Sequence, residues 1–281
     1  MHPAPDSSVR NTRSGKPCIG VFDSGVGGLA VLKALHALLP QANLLYVADS
    51  GHAPYGERSV AYVAERSRRI ATHLIAEGAV GLVIPCNTAT AAAVHLLRAE
   101  WPQLPIIGIE PGLKPAAAAT RNGRIGVMAT TGTLASEKFR ALVQAQPPHL
   151  TVIAQPCRGL ADLIEQGDLD APALRQCIER HVAALRAADV DTVVLGCTHY
   201  GFVAHHIAAA LGAGVQLIDT VEPVARQAVR RLRAAVAAQP PDEVRVHLQT
   251  TGDVARLRTI ASAWLPFSCS VEAVPQGTPP A

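Results

Sequence analysis

Two short runs of this sequence occur twice, in the same order. Ile19-Gly-Val-Phe22 matches Ile125-Gly-Val-Met128, and Val83-Ile-Pro-Cys86 matches Val194-Leu-Gly-Cys197. The offset is nearly the same for both, roughly 110 residues, so one sub-architecture is used twice. Either match alone is a short apolar run of a common kind; the ordered pair is what constrains the fold.

The segments around these runs alternate between strand and helix patterns. Residues 19–22, 44–47, 80–84 and 106–109 read as strands, with helical spacing over 29–39, 59–77 and 89–100 between them. The second half repeats the plan. Its strands are expected at 124–128, 150–154, 192–195 and 215–218, and its helices at 134–143 and 170–188. A helix over 223–237, a strand over 244–249 and a helix over 253–263 close the chain. Strands separated by helices predict an α/β fold with mainly parallel sheets flanked by helices. The repeat predicts two similar lobes. If they face each other about a pseudo-twofold axis, their strand ends meet in one cleft.

Composition narrows the class. The 281 residues are 49% hydrophobic and 17% charged, which suits a globular chain with a sizeable core. Net charge is only +3, and no Lys/Arg cluster is interleaved with aromatics, so nucleic-acid binding has no positive support. Arg66, Arg68 and Arg69 read as a solvated helix face. No apolar run approaches the ~20 residues of a membrane span, and the polar start is not a signal peptide. Residues 1–17 read as a disordered tail and 271–281 as another. Six cysteines without a CxxC pair suggest reduced thiols and a cytoplasmic setting.

The repeated strand ends carry chemistry. Cys86-Asn-Thr88 and Cys197-Thr-His199 each place a thiol and polar groups where a strand feeds a helix, the usual ligand position of open α/β sheets. A small buried cysteine is often structural, but His199 next to Cys197 offers help with ionisation. A metal site lacks convincing third and fourth ligands. A cysteine hydrolase needs one thiol and one base, and leaves the second cysteine unexplained. Proton transfer between two thiols explains both: one removes a proton from a carbon acid, and the other returns one to the opposite face. Asp23-Ser24 opens a Gly-rich turn whose backbone N–H groups favour an anion. Plain helix capping is the alternative for Ser24, Asn87 and Thr133.

These motifs resemble the glutamate racemases of the cofactor-independent aspartate/glutamate racemase superfamily. The resemblance rests on Gly20-Val-Phe-Asp-Ser-Gly-Val-Gly-Gly-Leu29, Pro54-Tyr-Gly56, Cys86-Asn-Thr-Ala89, Gly108-Ile-Glu-Pro111, Gly196-Cys-Thr-His-Tyr200 and Thr251-Gly-Asp253. It implies Cys86 and Cys197 as the acid/base thiols, Asp23 tuning the first, His199 the second, and Glu165 assisting there. It implies substrate contacts from Asp23, Ser24, Tyr55, Gly56, Asn87, Thr88, Thr130, Thr133, Thr198 and His199. It implies interconversion of L- and D-glutamate for peptidoglycan, without metal or cofactor, and it is compatible with a homodimer. The four lysines, Lys16, Lys33, Lys114 and Lys138, lie outside the motifs and offer no Schiff base there. The resemblance implies lobe one at 18–111 plus 219–270 and lobe two at 112–218. Gly201 departs from the family's usual proline and predicts a looser helix start. An aspartate racemase, or a regulatory protein that kept the fold, remains a rival reading.

Overall fold

The structure, a computed structural model, describes residues 18–237 and 245–275. The expected tail at 1–17 lies outside these residues. The chain begins with β1 (Cys18–Asp23), α1 (Leu29–Leu38), β2 (Asn43–Ala48), a 3-10 turn (Tyr55–Glu57) and α2 (Val60–Ala76). It continues with β3 (Ala79–Ile84), α3 (Asn87–Glu100) and β4 (Ile106–Gly108). The second half contains α4 (Leu113–Ala119), β5 (Arg124–Ala129), α5 (Thr131–Ala135), α6 (Glu137–Gln144), β6 (Thr151–Pro156), α7 (Leu160–Glu165) and α8 (Pro172–Ala187). Then come β7 (Thr192–Leu195), a second 3-10 helix (Thr198–Val203), α9 (Ala204–Leu211) and β8 (Gln216–Ile218). The chain closes with α10 (Val221–Ala237), β9 (Val246–Thr250), α11 (Val254–Trp264) and β10 (Ser270–Ala273).

Two sheets result. The first has the order β10-β9-β2-β1-β3-β4 and the second β6-β5-β7-β8. All pairings are parallel. The order β2-β1-β3-β4 maps strand for strand onto β6-β5-β7-β8, which is the repeat seen in sequence. Helices cover both faces of each sheet, as parallel sheets require. On the first, Leu32 of α1, Leu232 of α10 and Ile260 of α11 pack with Val21 and Leu248. Leu74 of α2 and Val94 of α3 pack on the other face with Phe22 and Leu82. On the second sheet Leu185 of α8 and Ile207 of α9 face Val193, while Leu113 of α4 and Phe139 of α6 face Val127. No helix among the described residues is long and apolar enough to cross a membrane.

Some expectations need correction. The first sheet does not stop at residue 270: Ser270–Ala273 pairs in parallel with β9, so the tail expected from 271 begins inside a strand. The helix expected over 134–143 is two helices, because Ser136 leaves helical geometry (φ −70°, ψ 148°) and its hydroxyl caps the second by accepting from Phe139 N–H. Gly201 sits in the 3-10 helix without a left-handed φ, and a Cβ there would make only ordinary contact with Asp219, so no special freedom is used. Arg68 and Arg69 pair with Glu65 at the surface as expected, but Arg66 turns inward to the buried Asp49.

The repeated Ile-Gly-Val has a packing cause. A Cβ on Gly20 would lie 2.8 Å from Leu82 and 3.1 Å from the Cβ atoms of Leu74 and Ala79; on Gly126 it would lie 2.9 Å from Leu185. Glycine in each central strand therefore lets one helix, α2 or α8, sit close to its sheet. Gly20→Ala is expected to destabilise the protein by ~1–3 kcal/mol through overpacking, measured by urea unfolding; an unchanged midpoint would contradict this account.

Candidate active site

The strand ends of the two sheets face each other and touch in two places. At the end of β1 and just past β7, Thr198 donates to Asp23 Oδ2 at 2.8 Å. Past β3 and β5, the hydroxyls of Thr88 and Thr130 lie 2.9 Å apart. Exchanging the two halves of the repeat exchanges the strand ends that carry these contacts, with each contacting residue one position along, so the lobes meet with pseudo-twofold pairing.

Between these contacts lies a small enclosed space, about 20 Å³ in which a water molecule can be centred, room for roughly one water. Cys86 and Cys197 both line it, each 5–8% exposed. Ser24, Tyr55, Gly56, Asn87 and Thr88 complete the wall from one lobe, and Thr130, Glu165, Thr198 and His199 from the other. Asp23 and Thr133 stand one layer back. Asp23 is fully buried and accepts hydrogen bonds from Ser24 (3.0 Å) and Thr198 (2.8 Å). Thr133 joins a hydroxyl triangle with Thr88 and Thr130. Ala53, Pro54, Ala161 and Gly196 also line the space and were not anticipated. Ala161 lies one helical turn before Glu165 on α7, the spacing that puts two residues on one face.

Capping distributes differently from expectation. Cys86 itself caps α3, its sulfur accepting from Ala89 N–H at 3.5 Å, and Thr130 caps α5 by accepting from Thr133 N–H at 3.2 Å. Asn87 is thus free of capping duty; its amide nitrogen and oxygen are buried without a hydrogen-bond partner. A buried amide of this kind is costly unless something binds it. The Gly-rich turn after β1 does receive an anion, but a side chain of the other lobe: Val26 N–H donates to Glu165 Oε1 at 2.6 Å. The same oxygen lies 2.5 Å from His199 Nε2, and His199 Nδ1 is 3.6 Å from Cys197 Sγ. Glu165 is therefore linked to Cys197 through the His199 ring. Glycine is needed here for close approach: a Cβ on Gly25 would fall 1.9 Å from Glu165, and one on Gly27 2.4 Å from His199.

Comparison with known proteins decides the family. Residues 19–228 match the Asp/Glu/Hydantoin racemase family. A glutamate racemase of Ectopseudomonas mendocina is 51% identical over 86% of this chain and 92% of its own length. The chain belongs to this racemase family. A Pseudomonas putida glutamate racemase is 54% identical over 77% of the chain and 82% of its own length. Among solved structures, the Bacillus anthracis glutamate racemase RacE1 aligns with TM-score 0.82 and 33% identity, covering 92% of this chain and 98% of that one. The Escherichia coli glutamate racemase, solved with L-glutamate and the activator UDP-MurNAc-ala, aligns with TM-score 0.81 and 27% identity, covering 92% and 97%.

The electrostatics of this racemase cleft are uneven. Burial first, and the Asp23 charge second, push the Cys86 thiol well above its ordinary value. Burial also raises Asp23, against His199 and the hydrogen bonds from Thr198 and Ser24. Asp23 therefore touches both sides of the cleft, through Ser24 towards Cys86 and through Thr198 next to Cys197, rather than the first side alone. Burial opposes charge on His199, but its hydrogen bonds to Cys197 and Glu165, and their charges, overcome that and hold the imidazole well above its ordinary value. Among the described residues one grouping has metal-ligand proximity, Asp170 with His205 and His206, outside this cavity. Two of its three groups are engaged by protein: Asp170 accepts from Arg175 at 2.8 Å, and His206 Nε2 lies 3.0 Å from the Leu169 carbonyl.

A raised folded-state value means that the stabilisation from charged His199 is fully present below the unfolded value of ~6.5 and is lost as pH rises through the folded one. Ring-nitrogen NMR at pH 7.5 is expected to show His199 as imidazolium in the wild type, and Glu165→Gln should move its titration to lower pH. A neutral wild-type ring at that pH would contradict this geometry.

Proposed function

We propose that this chain interconverts L- and D-glutamate by passing a proton between Cys86 and Cys197. The observation that carries the proposal is that two buried thiols, from equivalent strand ends of two repeated lobes, line one enclosed space. A carbon acid held there has a thiol on each face, so removal on one side and return on the other inverts the α-carbon. The relatives named glutamate racemase support the substrate, and none of the residues lining the cavity is a lysine that could form a Schiff base.

Each side has a distinct role in this scheme. Cys86, kept protonated by burial and Asp23, is the resting proton donor. Cys197, next to the His199 ring that Glu165 anchors, is the partner that takes the proton in that direction. When the substrate is the other enantiomer the thiols exchange roles. The unpartnered Asn87 amide and the Thr88, Thr130 and Thr198 hydroxyls bind the polar ends of glutamate, with Gly56 supplying backbone and Ser24 linking the substrate to Asp23. Water exclusion protects the carbanion-like intermediate. Glutamate does not fit the closed cavity, so the lobes part to admit it, breaking the Thr198–Asp23, Glu165–Val26 and Thr88–Thr130 contacts.

We place the reaction in the cytoplasm, supported by six free cysteines. Its product is assigned to peptidoglycan synthesis, a role that the Escherichia coli racemase's activator, UDP-MurNAc-ala, supports.

Incubation with each enantiomer of glutamate and of aspartate in D₂O, with no added metal or cofactor, is expected to put deuterium on the α-carbon and abolish the circular dichroism signal for glutamate only. Exchange of neither amino acid would sink the proposal. Cys86→Ser and Cys197→Ser should each lower net racemisation by ~10²-fold or more; full two-way activity in either variant would rule out two-thiol chemistry.

A further inference from the structure

A buried ion pair behind the cleft has no part in the chemistry above. Asp49 follows β2 directly and lies beside Asp23, its N–H bonded to the Asp23 carbonyl at 3.0 Å. Its carboxylate is fully buried and gathers donors from three elements. Arg66 on α2 supplies a two-point fork, Nε to Oδ2 at 3.0 Å and Nη2 to Oδ1 at 2.8 Å. Thr251, just past β9, donates to Oδ1 at 2.8 Å, and the Tyr55 hydroxyl donates to Oδ2.

We propose that Asp49, Arg66 and Thr251 are positioning residues that hold the segment 51–56 in register with the substrate and so set its binding. The inference rests on the racemase reading for the meaning of that segment. Tyr55 is almost completely buried and lines the cavity, and its oxygen is fixed to Asp49. The ring cannot shift without breaking that bond. The segment belongs to neither sheet and contains only one 3-10 turn. Side-chain anchors therefore decide its position.

Thr251 ties the start of the segment as well: its hydroxyl accepts from Gly51 N–H at 3.1 Å, and its own N–H bonds the Ala48 carbonyl at 3.1 Å. The fit is close, since a Cβ on Gly51 would lie 2.5 Å from the Thr251 carbonyl oxygen. At the far end, a Cβ on Gly56 would fall 2.6 Å from Thr130 of the other lobe. A displacement of a few tenths of an ångström at 51–56 therefore changes both the cavity wall and the surface on which the lobes close. The Arg66 fork has a definite part in this. It neutralises a carboxylate that could not otherwise stay buried, and it fixes the carboxylate plane so that Tyr55 and Thr251 each find an oxygen. None of the three side chains lines the cavity, so their effect falls on binding rather than on proton transfer.

The test compares Thr251→Val, Arg66→Lys and Arg66→Ala with the wild type. Three readouts are taken: KM and kcat for both glutamate enantiomers, hydrogen exchange at 51–57 without substrate, and the urea midpoint. Loss of an interaction made equally in ground and transition states raises KM and leaves kcat alone. Thr251→Val is expected to raise KM about 3- to 10-fold with kcat within about twofold, and to speed exchange at 51–57. Arg66→Ala should do more, and Arg66→Lys should recover part of the loss, because an ammonium replaces the charge but not the fork. If Arg66→Ala does not fold, Thr251→Val decides. A lower urea midpoint with KM and segment exchange unchanged would overturn the inference, leaving the ion pair purely structural. A wild type that does not racemise glutamate would instead remove the functional reading, while exchange at 51–57 would still show whether these residues hold the segment.

Discussion

The cleft depends on how closely the backbone of one lobe can approach the side chains of the other. Glu165 and His199 reach their places only because Gly25 and Gly27 carry no side chain; a methyl group at either position would overlap them. Once there, the Glu165 carboxylate is held by Val26 N–H and His199 together. This one contact joins the lobes and orients the imidazole beside Cys197. The Gly-rich turn is therefore a docking surface for the second lobe's own anion as much as the opening of a helix.

The duplication was readable in sequence because it is local. Ile-Gly-Val and the strand-end cysteines recur as short runs, and each run follows from packing within its own lobe. A glycine opposite a helix and an apolar strand covered on both faces leave that signature wherever they occur. The parallel order β2-β1-β3-β4, repeated as β6-β5-β7-β8, follows from it. The cysteines, Asn87, Thr88, Thr198 and His199 were equally legible because they sit directly at those strand ends.

Features that depend on distant partners were hidden. Arg66 carries the same side chain as Arg68 and Arg69 two and three positions on, and all three look solvated. Only the carboxylate of Asp49, 17 residues earlier, turns Arg66 inward while its neighbours pair with Glu65. The same holds for Asp23, whose second hydrogen bond comes from the other lobe and makes it common to both sides of the cleft. β10 was missed for a related reason: Ser270–Ala273 is a short, half-polar edge strand, identifiable only by its pairing with β9. Helix α7, which presents Glu165, starts after a left-handed glycine, Gly159, that the apolar pattern alone did not mark as a helix start.

The two halves of the cleft are equivalent in topology and unlike in chemistry. The repeat places Ser24 opposite Thr130 in position, and Asn87-Thr88 opposite Thr198-His199, so one thiol neighbours a hydroxyl backed by a carboxylate and the other an imidazole backed by one. For a reaction that interconverts mirror images the equilibrium constant is one, which forces kcat/KM to be equal in the two directions. The unevenness of the cleft cannot favour either enantiomer overall. It can only divide that common quotient differently, giving one enantiomer tighter binding with slower turnover and the other the reverse.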